Sequence, residues 1–152
     1  MSYRTKYKPI NPEKYMGNVK KIVARSSWER KFMRYCDHHP NIIAWSSEEV
    51  VVPYISPVDK KPHRYFPDFV VKMRTKSGEI KTIMVEVKPL SQTRVLGADH
   101  YLVESHGKKR KRKLKEFLTS KVNHAKWAAA EVFCQRNNWE FKIMTERELN
   151  IK

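Results

Sequence analysis

The chain has 152 residues with 2 cysteines and 4 glycines, and its 32 Lys and Arg against 16 Asp and Glu give a formal net charge of +16. That length suits one domain able to bury a core without disulfides or structural metal, and no apolar run is long enough for a bilayer-spanning helix. A compact chain this cationic repels itself, so the excess charge points to a polyanionic partner, nucleic acid ahead of an anionic membrane surface.

Residues 1–24 are basic, contain Pro9 and Pro12 and show little periodicity. They read as a basic N-terminal arm or loosely packed start, with the domain proper over 25–152. No apolar stretch follows the first basic residues, so a secretory signal is not expected and a cytosolic protein is. A helix should open near Ser26, because Ser26-Ser27-Trp28-Glu29 places a capping hydroxyl three residues before a Glu. Trp28, Phe32, Tyr35 and Cys36 then fall on one helical stripe, and Pro40 ends it. Cys36 and Cys134 form no CxxC and read as buried thiols in a reducing compartment.

Strands are expected next at Ile42–Trp45, Val50–Ile55, Arg64–Arg74 and Ile80–Lys88, the last two joined as a hairpin across Lys76-Ser77-Gly78-Glu79. Residues 89–107 are irregular, and the basic run Lys108-Lys109-Arg110-Lys111-Arg112-Lys113-Leu114-Lys115 reads as solvated. A second helix is expected over about Thr119–Arg136, with Val122, Ala125, Ala129, Val132 and Phe133 on its apolar face and Asn137-Asn138 as its stop. Trp139–Met144 is a last strand, and Thr145-Glu146-Arg147-Glu148 resembles a capping box opening a short helix. The order α-β-β-β-β-α-β-α predicts an α/β fold with a central mixed sheet flanked by helices.

The hairpin carries the chemistry. Side chains alternate along a strand, so Glu86 and Lys88 share one face while Val85 and Val87 point to the other. A three-residue loop at Lys76–Gly78 places Asp68 directly opposite Glu86, and a two-residue loop leaves it one residue off but still adjacent; directly opposed Cβ atoms are about 4.5–5.5 Å apart. Two carboxylates that close repel, and a divalent cation relieves the repulsion. Mg²⁺ favours such oxygens, and the Val87 carbonyl offers another. Lys88 would orient or deprotonate a water, or stabilise charge on a phosphorus centre.

Pro67-Asp68 followed by Glu86-Val87-Lys88 resembles the PD-(D/E)xK signature of restriction-endonuclease-like nucleases. The stretches Tyr65-Phe66-Pro67-Asp68-Phe69 and Val85-Glu86-Val87-Lys88-Pro89 are especially similar to the TnsA-type endonuclease domain, which cuts DNA ends in transposition. The similarity covers nearly the whole chain. It implies Mg²⁺- or Mn²⁺-dependent DNA cleavage, an acid on the first helix matching Glu29, and a patterned helix matching Asn123–Cys134. That pattern often has Gln where Glu86 stands, so this chain follows the more general nuclease form. Within the group the chain resembles the head-completion nucleases of T-even-like tailed bacteriophages. This implies action on packaged DNA ends, phage head or neck proteins as partners, and a place in the host cytoplasm and the virion. The alternative is a DNA-binding or structural virion protein that keeps the fold without the chemistry.

Other residues carry two readings each. Glu29 either completes the capping box or reaches the metal site. His63 and Arg64 either contact a phosphate near the cut or mark the solvated start of a strand. Lys126, on the helical face of Asn123, either meets DNA or is a surface lysine, and Trp127 reads as a packing residue. Lys108, Lys109, Arg110, Lys111, Arg112 and Lys113 are expected to contact phosphates without sequence preference.

Overall fold

The β-branched and aromatic runs between residues 42 and 87 build most of a four-stranded sheet in the computed structural model, which describes residues 3–102 and 107–150. In chain order the elements are β1 (Thr5–Lys6), 3-10 turns at Pro12–Lys14 and Val19–Lys21, β2 (Val23–Ala24), α1 (Ser27–His38), β3 (Ile42–Ser47), β4 (Val52–Ile55), β5 (Pro62–Tyr65), β6 (Phe69–Arg74) and β7 (Ile80–Val87). A 3-10 turn at Leu90–Gln92, α2 (Asp99–Leu102), α3 (Gly107–Arg136) and β8 (Glu140–Met144) follow. The main sheet runs β3-β6-β7-β8. Its first three strands are antiparallel and β8 lies parallel to β7. A parallel neighbour demands a crossover, and α3 supplies it. The mixed sheet flanked by helices is as the sequence predicts.

Both faces of the sheet are covered. Phe69, Val71, Val85 and Val87 pack with Trp45 against Phe32, Met33 and Cys36 of α1. The alternate residues Val70 and Met84 pack against Trp127, Ala130 and Cys134 of α3. Both cysteines are buried and free, as expected. Trp45 and Phe69 are fully buried, and truncating either ring would cost about 3–5 kcal/mol.

Helix α1 starts and stops where the sequence indicates, with Ser26 as its cap. Helix α3 ends as expected: Asn138 takes φ +57° and the Trp139 N–H reaches back to the Cys134 carbonyl at 2.8 Å, a left-handed cap that Asn tolerates.

Five local expectations are corrected. Residues 3–24 are not loose: Tyr7, Tyr15, Ile22 and Ala24 are buried in the α1 core. The Asp37 carboxylate accepts from the Tyr7 hydroxyl (2.7 Å) and from the Ile10 and Asn11 N–H groups (2.8 and 2.9 Å). Isolated anchors of this kind have no period to detect. The expected strand Arg64–Arg74 is two strands, because Phe66-Pro67-Asp68 breaks the ladder. Strand β5 pairs with β4 in a separate hairpin while β6 enters the main sheet.

The basic run is largely exposed, as read, but it is helical: α3 begins at Gly107 and not near Thr119. Lys and Arg are good helix formers, and Arg112 and Glu116 sit one turn apart at 3.9 Å. The buried stripe of α3 is Trp127, Ala130 and Cys134; Ala129 and Phe133 of the expected face pack against it, while Val132 is 46% exposed. The stripe is rotated because it follows the crossover's seat on β4 and β8. At the C-terminal end, Glu148 Oε2 accepts from the Thr145 N–H and hydroxyl (2.7 and 2.6 Å). The capping contact therefore forms, but residues 146–150 make hydrogen-bonded turns instead of a helix.

Candidate active site

Hairpin register brings the two carboxylates together. Phe69 lies opposite Val85 and Arg74 opposite Ile80. The Thr75 N–H closes the loop onto the Glu79 carbonyl at 2.8 Å, with Gly78 at φ +87°. One step past the Phe69–Val85 pair sets Asp68 across from Glu86, the register read from the loop length. The Val87 N–H then donates to Asp68 Oδ2 at 2.8 Å. Beyond β7, the Lys88 N–H donates to the Met144 carbonyl at 2.9 Å, which ties the end of the strand to β8.

Glu86 is only 7% exposed. Tyr65, at the end of β5 and 4% exposed, donates its hydroxyl to Glu86 Oε2. Lys126 of α3 places its ammonium 5.6 Å from the Tyr65 ring centre and 5.9 Å from that of Tyr54. Lys126 thus stands over two aromatic rings, and its charge acts on Glu86.

Burial raises the Asp68 carboxyl well above the ordinary carboxylate range, and the charges of Glu86 and Glu29 push it further. The Val87 N–H and the Lys88 ammonium oppose that shift without cancelling it. Glu86 is also raised by burial, against the Tyr65 hydrogen bond and the charges of Lys88 and Lys126. Glu29 is raised by burial first; its neighbours Glu48 and Glu86 add to this, and the Arg25 N–H and guanidinium lower it.

Glu29 makes a displaced version of the capping contact, on Arg25 instead of Ser26. Its N–H donates to Ser26 Oγ at 3.0 Å, and its carboxylate accepts from the Arg25 N–H at 3.4 Å, one residue before the position of a standard capping box. It also lies in the field of Asp68 and Glu86.

No three His, Cys, Asp or Glu side chains among the described residues form a ready ligand shell. The donor chemistry nevertheless fits a hard cation. Asp68 and Glu86 are acids whose charges burial and mutual proximity disfavour, and a divalent ion removes both penalties. With the Val87 carbonyl they are the oxygens available to hold one.

The other candidate residues lie further out. His63 bonds Asp59 through Nε2 at 2.7 Å on the β4–β5 hairpin, and Arg64 lies over the Phe66 ring at 5.8 Å. Lys108 to Lys113 occupy the first turns of α3, roughly 20–27 Å along the helix axis from Lys126. Trp127 is buried and packs, as its residue type suggests.

Two features escape the sequence reading. Tyr65 stands in the Tyr65–Phe69 stretch, but only the break at Pro67 turns its hydroxyl toward Glu86. Glu48 pairs with Arg25 at 2.9 Å, and its N–H donates to the Asp68 carbonyl at 3.2 Å; no spacing rule links these residues.

Residues 39–146 match the family described as TnsA-like endonuclease N terminal. The chain is 37% identical over 146 residues to the "Head completion nuclease" of Enterobacteria phage T4, covering 96% of this chain and 93% of that protein. The match spans the hairpin, the site and α3 together. The chain therefore belongs to the TnsA-like endonuclease family, with the restriction-endonuclease-like arrangement of a mixed sheet between helices.

Proposed function

We propose that this chain is a divalent-metal-dependent DNA nuclease in which Asp68, Glu86 and the Val87 carbonyl hold Mg²⁺ or Mn²⁺, with Lys88 and Glu29 in the catalytic set. The observation that carries the reading is the facing pair of Asp68 and Glu86, both raised by burial, with the Lys88 charge acting on each. When bound, the ion would polarise a phosphodiester oxygen and acidify a water. The protein does the rest. Val87 N–H and Tyr65 hydroxyl each fix one carboxylate oxygen. Lys88 supplies positive charge where the attacked phosphate gains negative charge. Glu29 adds a third acid at the strand ends, and the +16 net charge draws the DNA backbone in.

The relative's name, "Head completion nuclease", supports a role in head completion; the proposed role extends to action on packaged DNA ends and head–tail joining, with phage head or neck proteins as partners, in host cytoplasm and virion. No helix among the described residues is long and apolar enough to cross a membrane. The test is incubation with linear and circular DNA in Mg²⁺, Mn²⁺ and chelator, beside Asp68→Ala and Lys88→Ala. Metal-dependent cutting lost in both variants is expected. Cutting that survives both moves the site elsewhere, and tight binding without cutting makes the chain a structural DNA-binding protein.

A further inference from the structure

A cleft of about 520 Å³ opens between the segment after β7 and the N-terminal half of α3. It touches none of Asp68, Glu86 or Lys88. Ser91, Gln92 and Arg94 form one wall and Arg112, Lys115 and Thr119 the other. We propose that this cleft is a phosphate-binding groove that grips the DNA backbone to one side of the cut. The proposal rests on the nuclease reading for its position, though not for its binding chemistry.

The walls are fastened together, so the cleft is built into the fold. Ser120 Oγ donates to the Arg94 carbonyl at 3.2 Å and accepts from the Leu96 N–H at 3.4 Å. The two His124 ring nitrogens lie 2.8 Å from the Ser120 carbonyl and 3.1 Å from the Thr93 carbonyl. His100 pairs with Glu116 at 2.7 Å, joining α2 to α3. Glu116 is the one acid in the lining, and His100 and Arg112 engage it. Arg94 and Lys115 have no ion-pair partner among the described residues. Two unpaired cations beside hydroxyl and amide donors are a surface that suits phosphate oxygens.

Helical geometry connects this cleft to the active site. Arg112, Lys115, Thr119, Asn123 and Lys126 follow one another at intervals of three and four residues, which is one face of a helix. Lys126 stands over Tyr65, and Lys115 is roughly 16 Å further along the axis. On the other wall, Ser91 and Gln92 follow closely on Lys88 in sequence. A backbone leaving the carboxylates therefore runs into Arg94 and Lys115.

The test compares two double variants that each remove two positive charges. One is Arg94→Gln with Lys115→Gln. The other is Lys121→Gln with Arg136→Gln: Lys121 lies about 160° around the helix from Asn123, and Arg136 ends the helix. Binding to a fluorescein-labelled duplex is read by anisotropy in chelator across a salt series, and cutting is read separately with Mg²⁺. The cleft pair should lose at least about tenfold in affinity at roughly 0.1 M salt and flatten the salt slope by about 1.8. Its KM should rise with kcat kept. The comparison pair should stay within about twofold.

Equal losses in the two pairs reduce the effect to bulk charge and overturn the cleft, as does no loss in either. Matching thermal melts, and recovery with Arg94→Lys and Lys115→Arg, separate lost contacts from lost folding. The cleft pair losing affinity in a protein that never cuts would sustain the groove and sink the nuclease reading. Cutting that depends on Asp68, with equal behaviour of the pairs, would do the reverse.

Discussion

The Tyr65 hydroxyl reaches the Glu86 carboxylate from a strand outside the main sheet, since β5 pairs only with β4. One side chain thus ties an accessory hairpin to the chemistry of β7. Tyr65→Phe keeps the ring beneath Lys126 and deletes only the hydroxyl. Loss of such a supporting bond should reduce kcat/KM by about 10–100-fold. The bond holds the Glu86 carboxyl down against its burial, so removing it should move the acid limb of the pH–rate profile to higher pH. An unchanged profile would reduce Tyr65 to a packing residue.

The Lys88 charge acts on both carboxylates, and two substitutions separate the proposed role as a charge from that of a base. Lys88→Arg retains a cation and should keep measurable cleavage. Lys88→Met removes it and should cost about 100-fold or more in kcat. Equal inactivity of the two, with both variants folded and binding DNA, would favour proton transfer by the lysine.

Asp68, Glu86 and Glu29 all have raised folded pKa values. Between the ordinary carboxylate range near about 4 and those raised values, the native state holds protons that the unfolded chain releases. Without metal, stability should therefore fall as pH rises through that interval. Asp68→Asn removes one of the repelling charges and should raise the melting temperature by several degrees near about pH 7 in chelator. Divalent ions should raise the melting temperature of the wild type and do much less for the variant. A wild-type melt indifferent to both pH and metal would contradict the arrangement.

Asp37 has the opposite sign. Burial would raise its carboxyl, but the Ile10 N–H, the Tyr7 hydroxyl and the Asn11 N–H together hold it below the ordinary range. Its stabilisation is present above the ordinary carboxylate value and disappears as pH falls through the folded one. Asp37→Ala strands three donors at a fully buried position and should cost about 3 kcal/mol in urea denaturation. Specific activity of the folded fraction should be unchanged.

Much of the hairpin's geometry is legible because it obeys local rules. A loop of two or three residues keeps Asp68 beside Glu86, the Thr75–Glu79 closure selects the three-residue loop, and alternation gives Lys88 the same side as Glu86. Glu29 is readable to the extent that a capping motif announces a helix start. Tyr65, Glu48 and Arg25 are not readable, because each arrives through tertiary placement: a proline break, a residue at φ +55° after β3, and a pairing across distant sequence. The same holds for residues 3–24, where Tyr7 and Tyr15 dock singly onto Trp45. The basic run hides its helix because seven cations in eight residues carry no apolar stripe, yet their intrinsic preference is helical.

The unbroken course of α3 from Gly107 to Arg136 makes it a ruler with a fixed phase. Each residue added to it turns everything upstream by about 100° and lengthens it by about 1.5 Å. A single insertion between Thr119 and Asn123 would swing Arg112 and Lys115 away from the Arg94 wall while leaving Lys126 over Tyr65. An insertion of seven residues would nearly restore the facing but displace the grip by about 10 Å. Length variants of this helix should therefore be tolerated by its fold more readily than by any function that needs both of its ends in register.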